Sequence, residues 1–184
     1  MRDAILWLHG NASEGHFNPA NIHVTGHSAG GHLTAELAAM DWHAHGLPRD
    51  LTQSATPTRG LFDLTPLIET LMNDDLRLDR QSARHLSPLY RLPRKGTAIA
   101  VAVGAEETEE FQRQSRDYAL RCRASGPASE FLCQEGCNHY TILNQFMDAE
   151  ALLTQTILTR MGLVKPPVGG AGPPRGGRYR CRWR

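Results

Sequence analysis

Residues 26–30 read Gly-His-Ser-Ala-Gly, a G-x-S-x-G pentapeptide that joins two segments of different periodicity. Ile22-His23-Val24-Thr25 before it is β-branched and strand-like, and the stretch from Ala29 to about Met40 after it is helical, with Leu33, Leu37 and Ala38 apolar. A strand that runs straight into a helix leaves no loop, so the chain must turn within the pentapeptide. Side chains two residues before and after the serine would clash in such a turn, which accounts for Gly26 and Gly30. The strained backbone pushes the Ser28 hydroxyl out above the sheet. The helix start aims free N–H groups at the same point, and the Ala29 N–H becomes an oxyanion donor. Gly26, His27 and Gly30 complete this elbow. Gly-rich turns also cradle phosphates, but neither G-x-G-x-x-G nor a G-K-[ST] ending is present.

The rest of the chain alternates strands and helices. Residues 4–12 read as a helix with Ile5, Leu8 and Ala12 on one face. Residues 58–62 form a weaker strand candidate, flanked and interrupted by Pro57 and Gly60. Asp79 can cap a short helix that must end near Ser87, because Pro88 follows. Thr97 to Val103 is an unbroken apolar strand, as expected when helices cover both faces. A helix presenting Phe111, Ser115, Tyr118, Ala119 and Cys122 comes next, stopped by Gly126-Pro127. Glu130 to Cys133 is the following strand, and a last helix is expected from about Leu143 to Met161. This order predicts an α/β fold with a mostly parallel sheet between helices.

Composition narrows the function classes. With 184 residues, 40% hydrophobic and 21% charged, the chain has the make-up of one globular domain. No apolar run approaches the roughly 18 residues of a membrane span. The N-terminal segment is broken at His9 and lacks a small-residue cleavage site, so a cytoplasmic protein is expected. The net charge of +1 is uneven. Residues 165–184 carry Lys165, Arg175, Arg178, Arg180, Arg182 and Arg184 and no acid, and they are rich in glycine and proline. We read residues 1–164 as the folded domain and 165–184 as a disordered basic tail. Such a tail can touch phosphates weakly, but a solvated extension is the simpler reading, so no nucleic-acid partner is expected. Cys133-x-x-x-Cys137-x-His139 hints at a metal site, yet no second ligand pair accompanies it. The cysteines read as reduced residues packed on or near a strand, and no metal or other cofactor is expected.

A serine hydroxyl is inert at neutral pH unless a histidine takes its proton and an anion orients that histidine. Following a strand–serine–helix elbow, the acid and then the histidine come later in the chain. Of the nine histidines, His9, His43, His45 and His85 precede the acidic loop, and His139 alone follows the last strand. His32, one helical turn past the elbow, reads as a packing or hydrogen-bonding group. The acid lies in the loop after Val103, where Glu109 and Glu110 belong to the first helical turn and Glu106 and Glu107 remain. Asp63 is a rival after the weaker strand. The Ser28 hydroxyl is expected within hydrogen-bond reach of His139.

With these parts in place, the sequence resembles the bacterial arylformamidase (kynurenine formamidase) group of α/β-hydrolases. The matching stretches are residues 22–42, Gly60-Leu61-Phe62-Asp63-Leu64, Ser87-Pro88-Leu89, residues 103–118 with their Glu110-Phe111-x-Arg113-Gln114-Ser115, and Asn138-His139. The resemblance implies an acid three residues before the Glu-Phe pair, which selects Glu107. It implies a catalytic set of Ser28, Glu107 and His139 that needs no cofactor. It also implies a small formamide or ester substrate, with N-formylkynurenine cleaved to kynurenine and formate, although related sequences are general esterases.

The N-terminus departs from that pattern. Such proteins carry several strands before the elbow, with a His-Gly-Gly loop that supplies a second oxyanion N–H. Here His9-Gly10 stands too close to Ser28 for an intervening parallel crossover. We therefore expect the C-terminal part of the α/β-hydrolase sheet with its first strands missing. The expected result is a weakened hydrolase, or an inactive remnant acting as a partner-binding module, with an exposed sheet edge open to self-association.

Overall fold

The computed structural model describes residues 1–165. Helix α1 (Arg2–Gly10) leads to strand β1 (Ile22–His27) and helix α2 (Ala29–Ala39). Strand β2 (Thr52–Thr58) is followed by the short helices α3 (Asn73–Leu76) and α4 (Arg80–His85). Strand β3 (Ala98–Gly104), helix α5 (Glu109–Ser125), strand β4 (Ser129–Gln134) and helix α6 (Leu152–Arg160) complete the domain. The sheet has the order β1-β2-β3-β4 with every neighbouring pair parallel. All four strands therefore end on the same side, where parallel sheets place their sites. The expected basic tail lies outside the described residues apart from Lys165. No described helix is long and apolar enough to cross a membrane.

Strand β3 shows why its sequence is apolar throughout. Ile99 and Val101 pack with Ala35 and Ala38 of α2 and Tyr118, Ala119 and Cys122 of α5. Ala100 and Ala102 point the other way, onto Leu132 and Leu153, the latter on α6. Each of these β3 residues is fully buried, so a polar side chain on either face would lose water without a partner. Phe62 stacks on Tyr118 within this core, ring centroids 4.4 Å apart.

Two elements differ from the sequence reading. The strand candidate at residues 58–62 lies instead at Thr52–Thr58, and Arg59 ends it with φ 50°. This strand carries Thr, Ser and Gln rather than aliphatic residues, so hydrophobic patterning passes over it. Its backbone polar groups pair on both sides with β1 and β3. Several neighbouring hydroxyls find partners too: Thr25 Oγ1 donates to Thr56 O at 3.0 Å, Thr97 Oγ1 donates to Thr52 O at 3.0 Å, and Ser54 Oγ lies 2.8 Å from His23 Nδ1. The single last helix is also divided, into a 3₁₀ segment at Thr141–Phe146 and α6. Asp148 accounts for the break, because its Oδ1 accepts from Glu150 N at 2.9 Å and offers the backbone a turn in place of a helix. By contrast Asp79 caps α4, accepting from Ser82 N at 2.7 Å in a reciprocal capping box.

The polar residue that ties the layers together is Gln114. It is buried, and its Oε1 accepts from both Phe62 N and Asp63 N at 2.9 Å while its Nε2 donates to Glu110 Oε1 at 2.9 Å. The Glu-Phe-x-Arg-Gln-Ser stretch thus holds the Gly60–Leu64 segment against α5. Ser87 anchors the far end of that segment, accepting from Leu64 N at 2.8 Å and donating to Ala83 O at 2.6 Å. Gln114→Leu keeps the volume but orphans two buried N–H groups, so chemical denaturation should show a loss of about 2 kcal/mol or more. An unchanged midpoint would mean that the segment is held by packing alone.

Candidate active site

The end of β1 forces the backbone into a rare conformation. Ser28 has φ 57° and ψ −118°, a region that costs a residue with a Cβ on the order of 1–3 kcal/mol. Ser28 N donates to Thr58 O at 3.1 Å, and Ser28 O accepts from His32 N at 3.1 Å, so strand and helix together impose the turn. A Cβ on Gly26 would stand 2.5 Å from the Gly30 carbonyl oxygen, so only glycine fits there. Gly30 does not bear out its expected role: a Cβ there would meet nothing within 4 Å, because the crowded partner is its backbone. The second position that must stay bare is Gly31, where a Cβ would lie 2.7 Å from Thr58 O and 2.9 Å from the Gly60 Cα. Ala29 is the first residue of α2, so its N–H has no intrahelical acceptor.

The loops after β3 and β4 are fastened to each other. Ala105 N donates to Gln134 O at 2.8 Å and Glu106 N donates to Cys137 O at 2.9 Å. A Cβ on Gly104 would fall 2.1 Å from that Cys137 oxygen, so its absence permits the approach. Glu106 is exposed. The Glu107 side chain is 4% exposed, and its Oε1 lies 3.6 Å from His139 Nδ1. Asp63 faces elsewhere, its Oδ1 accepting from Thr65 N at 3.0 Å and Thr65 Oγ1 at 2.6 Å. Glu107 is therefore the acid beside His139. The turn carrying His139 is closed by Asn138, whose Oδ1 accepts from Tyr140 N at 2.9 Å and Thr141 N at 3.0 Å.

His139 stands against His27, ring centroids 4.6 Å apart, with Tyr140 edge-on at 4.8 Å. His27 is held below its ordinary value of 6.5, chiefly by burial and then by the like charge of His139. His32 plays the part read for it, with Nδ1 donating to Leu61 O at 2.8 Å.

The residue that sequence reasoning missed is Arg59. Its guanidinium lies over the Phe111 ring, 3.4 Å from the centroid, with Nε 3.3 Å from Glu107 Oε1 and Nη1 3.5 Å from Ser28 Oγ. No hydrogen bond joins Ser28 to His139, contrary to the expected contact: Arg59 is the partner of the serine oxygen and also stands at the carboxylate. The usable signal was its place one residue past a strand end, hidden because β2 itself was misplaced.

A family model described as BD-FAE matches residues 1–76. Kynurenine formamidase of Salmo salar is 30% identical over 150 residues, covering 78% of this chain and 50% of that protein. The chain thus spans about half the length of the curated relatives it matches. A solved Silicibacter protein, provisionally named a thioesterase, superposes with a TM-score of 0.67 at 26% identity, over 80% of this chain and 53% of that one. The chain has the α/β-hydrolase fold and is similar to the kynurenine formamidases. An esterase of Thermogutta terrifontis shares the fold, with a TM-score of 0.60 at 21% identity, over 90% of this chain and 64% of its own.

The lowered His27 makes the stability of this α/β-hydrolase pH-dependent. Folding favours the neutral ring, so the unfolded chain binds the extra proton and stability falls as pH drops below about 6.5, levelling off below the lowered value. His23, also lowered by burial, acts in the same sense. Thermal midpoints of the unaltered chain and His27→Gln between pH 7.5 and 5 should show a shallower acid decline in the variant. Parallel curves would assign the dependence to other groups.

Proposed function

We propose that this chain is a serine hydrolase that cleaves a small formamide or carboxylic ester through an acyl-enzyme on Ser28. The observation that carries the reading is the left-handed Ser28 backbone between β1 and α2, together with a Glu107 carboxylate 3.6 Å from the His139 ring. Backbone strain of this kind clusters at active sites. The Ser28 oxygen attacks the carbonyl carbon while His139 takes its proton, and Glu107 stabilises the imidazolium that forms. The Ala29 N–H donates to the developing oxyanion. The proton then passes from His139 to the leaving amine or alcohol, and water activated by His139 releases the acid from Ser28. His139 closes on Ser28 when substrate displaces the Arg59 contact, since such hydrogen bonds are often loose without ligand. N-formylkynurenine is the proposed formamide, in keeping with the name of the Salmo salar relative.

Assays of p-nitrophenyl esters and N-formylkynurenine test this. Ser28→Ala should abolish turnover, and Glu107→Gln should lower kcat by on the order of 10²–10⁴-fold with the fold intact. Turnover that persists in Ser28→Ala would end the proposal.

A second reading is self-association. No described strand pairs with the outer edge of β1, and Trp7 and Leu33 are 65% and 41% exposed. Free edges and apolar patches of this kind attract further chains. Sedimentation should show oligomers that Trp7→Glu with Leu33→Lys disperses. A monomer at all concentrations would refute it.

A further inference from the structure

We infer that Arg59 forms an anion subsite beside the nucleophile and selects substrates that carry a carboxylate a few bonds from the scissile carbonyl. The inference rests on the serine-hydrolase reading of the site. The Arg59 side chain is only 14% exposed, yet its hydrogen-bonding capacity is barely used. Nε is buried and donates to nothing, because the Glu107 oxygen 3.3 Å away is not aligned with its N–H. Nη1 reaches only Ser28 Oγ, at 3.5 Å. A largely buried guanidinium with unused donors is poorly solvated, and its planar fork matches a carboxylate in two parallel bonds.

The surroundings hold this fork in place. Arg59 N donates to Ala102 O at 2.6 Å, the backbone is left-handed at φ 50°, and Phe111 supports one face of the guanidinium. The titratable groups around it are Glu107, His27 and His139. A carboxylate bonded to the fork at about 2.8 Å lies within about 6 Å of Ser28 Oγ. The attacked carbon approaches that oxygen to about 3 Å, so the two groups belong to one short molecule. An anion bound there also competes with Glu107 for the guanidinium, leaving the Glu107 carboxylate to His139. A neutral ester offers no such competition.

The test compares the phenyl monoester of glutarate with phenyl pentanoate, which differ in the terminal carboxylate, on the full chain, Arg59→Ser and Arg59→Lys. The expected kcat/KM favours the anionic ester by roughly 10- to 100-fold in the unaltered chain. Arg59→Ser should remove the preference, and Arg59→Lys should retain part of it, with charge but no fork. Equal rates in the unaltered chain, or a preference that survives Arg59→Ser, overturn the inference. Calorimetry supplies a readout independent of turnover and of variant folding: the monoamide of glutarate should bind the unaltered chain at least about tenfold more tightly than pentanamide. Equal affinities, or no binding of the anion, also overturn it. Ser28→Ala separates the two levels. Hydrolysis that persists there fails the serine mechanism, whereas serine-dependent hydrolysis without a charge preference fails only the role of Arg59.

Discussion

The left-handed turn at Ser28 is the constraint on which the rest of the arrangement depends. It persists because β1 and α2 are each held from outside the turn. β1 is paired along β2, and α2 is pressed so close to the end of β2 that Gly31 meets Thr58 and Gly60 at backbone distance. The bond from Ser28 N to Thr58 O then ties the strained residue to the neighbouring strand. Remove the pairing or the close approach and the serine relaxes to an ordinary turn, taking its hydroxyl away from the carboxyl end of the sheet. Strain here is sustained by sheet pairing rather than by contacts of the serine itself.

Much of this was legible in the sequence where one local rule sufficed. The elbow was readable because a strand, a glycine, a serine and a helix follow without a gap. β3 was readable because burial on both faces demands an unbroken apolar run, and Asp79 and Gly126 marked helix ends by their own chemistry. β2 escaped because it is held by ladder hydrogen bonds to β1 and β3, which leave no hydrophobic pattern. The split before α6 escaped because Asp148 competes with the helix through its side chain, a tertiary choice that periodicity does not weigh.

The site divides in the same way. The pentapeptide pointed to Ser28 and chain order to His139, and among Glu106, Glu107 and Asp63 the residues alone left the acid open until the resemblance pointed to Glu107. The geometry that puts Glu107 beside His139 and turns Asp63 onto Thr65 arises from contacts between loops distant in sequence. Gly30 was read as a steric necessity by its symmetry about Ser28, but the turn is not symmetric, and the crowding falls on Gly31. Arg59 could be recognised only after the end of β2 was known. Its guanidinium lies over Phe111, 3.3 Å from Glu107 and 3.5 Å from Ser28 Oγ.

The junction between the β3 and β4 loops has an evolutionary consequence. Backbone bonds from Ala105 and Glu106 to Gln134 and Cys137 span the turn that leads to His139, and Gly104 abuts the Cys137 carbonyl. None of these contacts reads a side chain at Glu135, which is exposed, while Gly136 sits at φ 69°, where glycine is favoured. Drift in this turn can therefore change the identity of residue 135 freely but not the number of residues between 134 and 139. An insertion of one residue there would shift His139 relative to Glu107. Length, more than composition, is what selection would hold constant here.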